Sequence, residues 1–410
     1  MRVVGIIAEY NPFHRGHLYH LQKAREMTGA DAVVVVLSGS FVQRGEPALT
    51  DKFCRAAMAI RGGADVVLEL PVPYATASAE AFADGAVEIL DSLGVVTDLV
   101  YGCEDAEPES FTALARILTE EPAPFGDHLR GALRRGRTWP EARAEALEAC
   151  CPGQSHLLRT PNNILAVEYH KALLRRNSSL HPVALPRSGE TYHSLRLSAN
   201  APASASAIRQ ELVRLDERLA AEDPRHAPGS LPAADLQAAF PDSPLWKQLP
   251  EFCIPELPWR LYPDDFSVLL RYALLRTAPE ELADIQDMSP ELAARLEHFR
   301  GQLLTYTELA EQLKTRQLTR TRVNRALLHT LLGLPRTPAP ITAVRLLALR
   351  RGTPVMRAIQ DRTSLPVVTK VADAPAGSLE ADRRADELYR TALWQKTGRR
   401  PAPRLGPLLL

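Results

Sequence analysis

The chain has 410 residues, of which 45% are apolar, and its 49 basic side chains equal its 49 acidic ones in number. This length predicts two or three domains, and the apolar fraction is enough to build buried cores. A balanced charge excludes a protein that attracts nucleic acid or membrane through its net charge, so any such bias must be local.

Cysteine usage and the N-terminal residues bear on the compartment. The five cysteines are odd in number and form no pair of C-x-x-C motifs at zinc-finger spacing, which favours free thiols over a metal site. The N-terminus lacks the layout of a signal peptide, and no apolar run approaches the ~18 residues of a membrane span. These features predict a soluble, cytoplasmic protein with no membrane partner.

Five short runs rich in β-branched residues alternate with amphipathic stretches in the first half of the chain. One such stretch, HLYHLQKAREMTG, places Leu18, Leu21 and Ala24 at helical spacing and ends at Gly29. Continuous apolar strands separated by helices are typical of an α/β fold with a doubly wound parallel sheet. The predicted strands are residues 2–8, 31–39, 64–71, 97–102 and 181–187.

The composition changes near residue 216. Residues 216–258 are rich in Pro, Ala and Asp, which predicts a connector or an irregular inter-domain segment. Helical patterns such as FSVLLRYALLRT and RVNRALLHTLLGL follow, with few strand signals. We therefore predict an α/β domain over residues 1–215, a connector over 216–258 and a mostly helical domain over 259–410.

The predicted helical domain contains a basic segment between residues 314 and 370, with a single acid, Asp361. Solvated helical surfaces usually mix acids with bases, so this imbalance favours a surface that binds a polyanion, with RNA as the first choice. A plain solvated surface is the alternative. The basic residues are Lys314, Arg316, Arg320, Arg322, Arg325, Arg336, Arg345, Arg350, Arg351, Arg357, Arg362 and Lys370.

The stretch EYNPFHRGHLYHL directly follows the first predicted strand and contains three of the 11 histidines. Ligands of open α/β sheets bind at the carboxyl ends of strands, and the N-terminus of the next helix attracts anions. Gly16 would let a phosphate approach the backbone, and His14 and His17 could then donate to it as imidazolium groups. The alternatives are surface histidines at a helix start, or a zinc site with His20, for which the chain offers no further ligand set.

No P-loop and no G-x-G-x-x-G motif accompanies this stretch. H-x-G-H after a first strand resembles the nucleotidyltransferase superfamily that includes class I aminoacyl-tRNA synthetases. Further stretches resemble one family in it, the tRNA(Met) cytidine acetate ligases. They are GIIAEYNPFHRGHLYHL, SGSFVQRGEPALTDKFCRAAMA, DVVLELPVPYATASAEAFADGAV, YGCE, PNNILAVEYHKAL, LPRSGETYHS, ASASAIR, LLRYALLR and TRVNRALLH.

This resemblance implies a Rossmann-like nucleotidyltransferase domain followed by a helical tRNA-binding domain. It implies an enzyme that uses ATP, with Mg²⁺, and acetate to acetylate N4 of the wobble cytidine in elongator tRNA(Met). Acetyl-adenylate and pyrophosphate would form first, and AMP would leave when the cytidine amine takes the acetyl group. No obligate protein partner is implied.

The resemblance also implies roles for particular residues, with His14 and His17 as catalytic donors. Gly102, Asn162, Arg187 and Ser188 match further nucleotide contacts. The matching ATP-binding loop consists of Ile7, Ala8, Glu9, Tyr10, Asn11, Pro12, Phe13, His14, Arg15, Gly16, His17, Leu18, Tyr19 and His20.

Each of the isolated positions has a structural alternative. Gly102 could be a turn glycine, Asn162 or Asn163 could be the N-cap of the following helix, and Arg187 could belong to a surface ion pair.

Two further groups are expected near the phosphates. Lys52 and Arg55 share a helix face and could meet the phosphates or acetate, or be solvated charges. In ASASAIR, Ser206 and Arg209 would bind the β- and γ-phosphates from a helix N-terminus. Ser204 and Ser206 here replace the Ser-Ser-Thr order that is usual in the superfamily. The expected catalytic set is therefore His14, His17, Lys52, Ser206 and Arg209.

Two other functions fit part of the pattern. An adenylyltransferase acting on a small cofactor precursor would leave the basic segment without a role. A non-catalytic nucleotide- and RNA-binding protein would not need His14 and His17 together with Arg187 and Arg209. With the ligase we expect the nucleotide chemistry to depend on the histidines, and tRNA binding to depend on Arg320, Arg322 and Arg325.

Overall fold

The computed structural model describes residues 1–104, 108–187, 197, 203–223 and 225–410. These residues form an eight-stranded sheet, a separate two-stranded hairpin of β3 and β4, and helices around them. The strands are β1 (Val3–Ala8), β2 (Ala32–Ser38), β3 (Phe41–Val42), β4 (Glu46–Pro47), β5 (Val66–Leu70), β6 (Asp98–Cys103), β7 (His181–Pro186), β8 (Val344–Leu349), β9 (Val367–Val368) and β10 (Leu408–Leu409).

Helices occupy most of the remaining described chain. They are α1 (Arg15–Thr28), α2 (Lys52–Arg61), α3 (Val72–Ala75), α4 (Ala79–Ser92), α5 (Pro108–Glu120), α6 (Ala123–Arg134), α7 (Trp139–Cys150), α8 (Pro161–Arg176), α9 (Ala205–Glu222), α10 (Ala233–Ala239), α11 (Ser267–Arg276), α12 (Pro290–Phe299), α13 (Tyr306–Leu313), α14 (Arg320–Leu332), α15 (Val355–Arg362) and α16 (Glu380–Thr397). Short 3₁₀ turns cover Ser155–Leu158, Pro244–Lys247, Glu251–Cys253, Pro263–Phe266, Glu281–Asp284 and Val371–Asp373.

The sheet has the order β10-β8-β5-β2-β1-β6-β7, with β9 paired to β8. The five strands predicted from apolar runs are β1, β2, β5, β6 and β7, and they are mutually parallel. The chain builds outward from β1 through β2 and β5, then crosses to the other side of β1 to form β6 and β7. The doubly wound sheet is confirmed, and its strand order reverses between β1 and β6.

Alternate residues of the central strands face two different cores. Val34 and Val36 of β2 pack in one core with residues of α4 and α8. Val33 and Val35 pack in the other core with residues of α1, α2 and α9. Because both faces are covered, the central strands are apolar throughout, which is why they appear in the sequence as continuous runs.

The far side of the sheet departs from the prediction. Val344–Leu349, within the stretch predicted to be mostly helical, is the strand β8 and pairs antiparallel with β5. Its sequence VRLLAL is buried almost throughout, and a short apolar run of that kind fits a buried helix as well as a buried strand. The sheet therefore draws on both ends of the chain.

The connector is irregular but packed. Helix α9 continues through Glu222, past the predicted change at residue 216. Beyond it, Leu236, Trp246 and Leu257 are buried in the same core as Ile208 of α9. The division into three domains remains a prediction, because no boundary in the described chain is free of such contacts.

The helical C-terminal region is confirmed by a third core. Helices α11, α12, α13, α14 and α16 contribute to it, and its buried residues include Leu270, Leu309, Leu327 and Tyr389. Phe41 of the hairpin belongs to this same core, so the bundle packs directly against the segment that follows β2.

One buried ion pair joins α9 to the end of the connector, and it gives a stability prediction. Arg260 is 0% and Asp216 2% exposed, and Nε and Nη2 of Arg260 donate to Asp216 at 2.7 and 2.6 Å. Asp216→Asn should lower the free energy of unfolding by about 3 kcal/mol, because Arg260 would remain buried without its anion. Urea denaturation measures this.

The exposed pair of Arg225 and Asp223 provides the control. Arg225→Ala should cost less than about 1 kcal/mol, since water already solvates that guanidinium. Equal losses in the two variants would contradict the assignment of Arg260 and Asp216 as a structural pair.

Candidate active site

A cavity of about 490 Å³ opens at the carboxyl edge of the sheet, where the strand order reverses. Ile7 and Ala8, the last two residues of β1, and Gly102, near the end of β6, line it. The predicted site residues that line the cavity are Ile7, Ala8, Glu9, Tyr10, Asn11, His14, His17, His20, Gly102, Asn162, Arg187, Ser206 and Arg209. Residues as far apart in the sequence as Ile7 and Arg209 thus meet at the predicted place.

His14 and His17 both bind the backbone at the start of α1. His14 is the N-cap, and its Nδ1 accepts from Gly16 N–H with an N···N distance of 3.0 Å. Nδ1 of His17 accepts from His14 N–H at 3.3 Å, and the two rings stack with centroids 3.7 Å apart. Since each Nδ1 accepts, each neutral ring carries its proton on Nε2. Both histidines therefore keep an Nε2–H donor for a ligand.

The glycine of H-x-G-H has a reason within the chain itself. A Cβ added at Gly16 would lie 2.8 Å from Cε1 of His14 and 3.0 Å from its Nδ1. A larger residue would therefore displace the capping ring. Its predicted role, close approach of a phosphate, remains a prediction beside this steric one.

The pKa values of both histidines lie below the usual value for imidazole, which disfavours the imidazolium form expected from the sequence. Burial lowers the pKa of His14 to about 3, and the positive charges of Arg187 and Arg209 act in the same direction. Burial also holds the pKa of His17 well below its usual value, with further repulsion from His14 and Arg187. Neutral Nε2–H groups still donate hydrogen bonds, so the predicted donor role does not require a positive charge on either ring.

Positive charge in the cavity comes from arginines. The described lining contains Arg44, Arg187, Arg209 and Arg325 against a single carboxylate, Glu9. Asp287 pairs with Arg325 from outside the lining, but the arginines still outnumber the nearby carboxylates, which favours a ligand with several negative charges. Among the described residues no carboxylate pairs with Arg187, which is exposed and lines the cavity. A surface ion pair stays the alternative for this residue.

The N-terminus of α8 holds Asn162 through a carboxylate that the sequence analysis missed. Thr160, not Asn162 or Asn163, is the N-cap residue of α8. Asn162 Nδ2 donates to Glu104 Oε1 at 2.6 Å, while Thr160 Oγ1 and Asn163 N–H donate to Glu104 Oε2. Glu104 thus fixes the amide of Asn162, which lines the cavity.

The N-terminus of α9 contributes the ASASAIR residues. Ser204 is the N-cap and accepts from Ala207 N–H at 3.2 Å, and Ser206 lies in the first turn. Arg209 donates to the backbone oxygen of Asn11 at 2.7 Å and to Ser206 Oγ at 3.4 Å. Both acceptors are uncharged, which leaves the charge of Arg209 available to an anion.

Gly102 lines the cavity without being required by its neighbours. A Cβ there would lie 3.6 Å from Cγ of Arg187, an ordinary contact distance. The chain itself therefore tolerates a side chain at this position, and the obstruction of a nucleotide by a larger residue stays a prediction.

Some predicted residues lie outside the cavity lining. Phe13 is fully buried in the core with Leu21, and Arg15 is exposed and donates to the backbone oxygen of Lys247. Ser188 lies outside the described residues. The predicted residues placed elsewhere are Pro12, Phe13, Arg15, Gly16, Leu18, Tyr19 and Lys52.

Lys52 does not line the cavity at the end of β1, and it is not a solvated charge. It is 2% exposed, and its Nζ contacts Glu69 Oε1 at 2.5 Å and Asp386 Oδ2 at 2.7 Å. These two carboxylates, from β5 and α16, hold the ammonium away from the histidines. The expected catalytic role of Lys52 is therefore not supported by its position.

Arg55 is also buried, and it binds backbone rather than phosphate. Its Nη1 donates to the carbonyl oxygens of Glu9 at 2.7 Å and Ser38 at 2.9 Å, and its other donors reach Gly39 and Thr50. Helical spacing with Lys52 could not reveal this, because the acceptors are backbone atoms of other elements.

Further lining residues were not predicted at all. Gln43 and Arg44 come from the turn between β3 and β4, and Thr321 and Arg325 come from α14. The QRG turn after β2 was a usable signal, because it follows a strand that ends at the same edge of the sheet. Nothing in the sequence of α14 indicates which helix face meets the cavity.

The basic segment is less positive in three dimensions than in the sequence. Arg320 pairs with Glu311, Arg325 with Asp287, and Arg345 with Asp386. These acids lie outside the segment in sequence, so a local count could not include them. Arg325 in particular lines the cavity, and its predicted role in RNA binding stays a prediction.

No cluster of three or more His, Cys, Asp or Glu side chains within the described ranges could hold a metal ion. The five cysteines are all free. No helix in the described part of the chain is long and apolar enough to cross a bilayer.

Comparison with known proteins agrees with this geometry. The family model of the HIGH Nucleotidyl Transferases matches residues 1–401. The tRNA(Met) cytidine acetate ligase of Acetivibrio thermocellus is 35% identical over 389 residues, which cover 91% of this chain and 89% of that protein. The chain belongs to the HIGH Nucleotidyl Transferases and, within them, to the tRNA(Met) cytidine acetate ligase family.

Two crystal structures of TmcAL, a protein of Thermotoga maritima, have the same fold as this chain. The apo form I has a TM-score of 0.86 at 29% identity, and both chains are covered completely. Form II, bound with alpha-thio ATP, has a TM-score of 0.82 at the same identity and coverage.

The buried histidines predict a loss of stability in acid. Burial lowers the pKa of His14 to about 3 and that of His20 to about 4, well below the unfolded value. As the pH falls below about 6.5, the unfolded chain binds protons that the folded chain refuses, so each such histidine lowers stability by about 1.4 kcal/mol per pH unit. The loss extends down to the folded pKa values.

Urea denaturation between about pH 7 and pH 5 measures this slope. His20→Gln should reduce the slope by about 1.4 kcal/mol per pH unit, which is the contribution of one proton. His128, which is exposed, provides the control, and His128→Gln should leave the slope unchanged. An identical slope in wild type and His20→Gln would show that His20 titrates normally in the folded protein.

Proposed function

We propose that this protein is an ATP-dependent ligase that acetylates N4 of the wobble cytidine of elongator tRNA(Met). The observation that carries the proposal is the cavity itself, in which two Nε2–H donors and four arginines converge at the end of β1. Its membership in a family named for this reaction, and a structural relative bound with alpha-thio ATP, support it.

The first step forms acetyl-adenylate. An acetate oxygen attacks the α-phosphorus of ATP, and the bond from that phosphorus to the bridging oxygen of the β-phosphate breaks, releasing pyrophosphate. His14 and His17 donate from Nε2 to phosphate oxygens, whose charge is redistributed in the transition state. Mg²⁺ bound to the triphosphate would neutralise part of its charge. Glu9, the one carboxylate in the described lining, is the side chain that would hold the ion.

The second step transfers the acetyl group to tRNA. The N4 amine of cytidine attacks the acetyl carbon, the bond from that carbon to the phosphate oxygen breaks, and AMP leaves as N4 loses a proton. This step needs only that the adenylate and the base be held in register, away from competing water.

Acetate-dependent exchange of labelled pyrophosphate into ATP tests the first step, and labelled acetate tests the second. We expect exchange with acetate in the absence of tRNA, and labelled N4-acetylcytidine at the wobble position when tRNA(Met) is added. Exchange driven by a phosphorylated cofactor precursor would favour an adenylyltransferase. If no carboxylate and no precursor supports pyrophosphate exchange, the ligase proposal is contradicted and only nucleotide and RNA binding remains.

Substitution of the histidines tests their protonation state. His17→Ala should reduce the exchange rate by about 10²–10³-fold, as expected for loss of one donor to developing charge, while tRNA binding persists. His17→Gln should retain more activity than His17→Asn, because the Gln amide nitrogen takes the place of Nε2 and the Asn amide that of Nδ1.

The pH dependence separates neutral from charged donors. With neutral rings, the exchange rate should hold steady as the pH rises above about 6.5, where an imidazolium donor of ordinary pKa would lose its proton. A decline through that range in wild type, absent in His17→Gln, would contradict neutral donors.

A further inference from the structure

The C-terminal helical region contributes directly to the nucleotide cavity. Thr321 and Arg325, one turn apart on α14, line the same cavity as His14 and His17. All the other described lining residues come from the first 209 positions of the chain. The cavity is therefore closed on one side by an element outside the predicted catalytic domain.

Close packing of α14 against the hairpin of β3 and β4 fixes the position of the Arg325 backbone relative to the hairpin. Gly45, at the hairpin turn, has φ +74°, and a Cβ there would lie 2.3 Å from Arg325 N and 2.5 Å from Asn324 C. The hydroxyl of Tyr306 lies 2.8 Å from the carbonyl oxygen of Asn324 and 3.1 Å from that of Gly45. Backbone contact this tight leaves α14 no freedom to slide along the hairpin.

The guanidinium of Arg325 is oriented by a carboxylate. Its Nε donates to Asp287 Oδ2 at 2.8 Å and its Nη2 donates to Asp287 Oδ1 at 3.1 Å. Among the described residues no hydrogen bond uses Nη1, and the side chain is 12% exposed. A bidentate pair of this kind fixes the plane of the guanidinium and leaves the Nη1 donors for another acceptor.

The neighbours of Arg325 show which part of the cavity it faces. Arg44 precedes Gly45, the residue in contact with the Arg325 backbone, and both arginines line the cavity. Burial lowers the pKa of Arg209, the carboxylate of Glu46 opposes this shift, and the positive charge of Arg44 adds to it. Arg44, Arg209 and Arg325 thus line one cavity together with the first residues of α9, a combination suited to an anion with several oxygens.

We propose that Arg325 is a binding and positioning residue for the β- and γ-phosphates of ATP, supplied to the nucleotide site by the C-terminal helical region. The inference rests on the proposed function only in taking ATP as the ligand of the cavity. Pyrophosphate, the leaving group of the proposed first step, would be held by the same side chain. The nucleotide site is then complete only with α14 docked on the hairpin.

Direct binding of ATP and AMP, without acetate or tRNA, tests this assignment. Arg325→Gln should weaken ATP binding by about tenfold or more, the typical loss when a charged hydrogen bond to phosphate is removed, and should leave AMP binding unchanged. Isothermal titration calorimetry with the full chain measures both affinities. Arg276→Gln, an exposed arginine of α11 outside the cavity, is the matched control and should bind both nucleotides as wild type does.

The comparison of ATP with AMP distinguishes phosphate contact from structural damage. Equal loss of ATP and AMP binding, or no loss of either, would overturn the proposal. Unchanged ATP binding with weaker tRNA binding would also overturn it, and would assign Arg325 to an RNA phosphate. If Arg325→Gln does not fold, Arg325→Lys keeps the charge but not the bidentate pair, and should still weaken ATP binding more than AMP binding.

Failure of this proposal is separable from failure of the proposed function. A wild-type protein that binds ATP but shows no acetate-dependent exchange would contradict the ligase and leave the Arg325 assignment standing. Exchange in wild type together with normal ATP selectivity in Arg325→Gln would contradict Arg325 alone.

Discussion

Arg55 donates hydrogen bonds to backbone carbonyl groups where β1 and β2 leave the sheet. At that point the carbonyls lose their ladder partners, and a buried carbonyl without a partner costs about 1–3 kcal/mol. One fully buried guanidinium satisfies several of them and holds the two chain segments at a fixed separation. The loop from Glu9 to His14 and the hairpin after β2 both start from this fixed base.

Two further contacts extend the same constraint into the cavity. Glu9 accepts from Gln43 N–H at 2.8 Å, and Asn11 Oδ1 accepts from Leu49 N–H at 2.7 Å. The carbonyl oxygen of Asn11 in turn accepts from Arg209 of α9. Three separate stretches of sequence are thereby tied to one loop, so the positions of the histidine donors and of Arg209 are set together.

The histidines show how one ring serves both fold and chemistry. Nδ1 of each ring binds backbone at the start of α1, and this fixes which nitrogen is left to face a ligand. The same burial that orients the rings lowers their pKa values, so donation by neutral imidazole and sensitivity to acid have a common cause.

The sequence predicted those features whose signal is local. Apolar runs located β1, β2, β5, β6 and β7, and the position of H-x-G-H after β1 located the cavity. The sequence could not predict the lowered pKa of His14, because burial causes it. It could not predict the pairing of Lys52 with Glu69 and Asp386 either, because these partners are distant in the sequence. Glu104 was missed for the same reason, since its three donors lie over 50 positions away.

The parts of the molecule that the sequence separates are physically continuous. β8 covers the edge of β5, and an exposed edge strand in its place would offer unpaired N–H and C=O groups to other chains. α14 closes one side of the cavity and packs on the hairpin that carries Arg44. The cavity is therefore a property of the whole chain. A fragment ending near residue 258 would lose one wall of its cavity and one edge of its sheet.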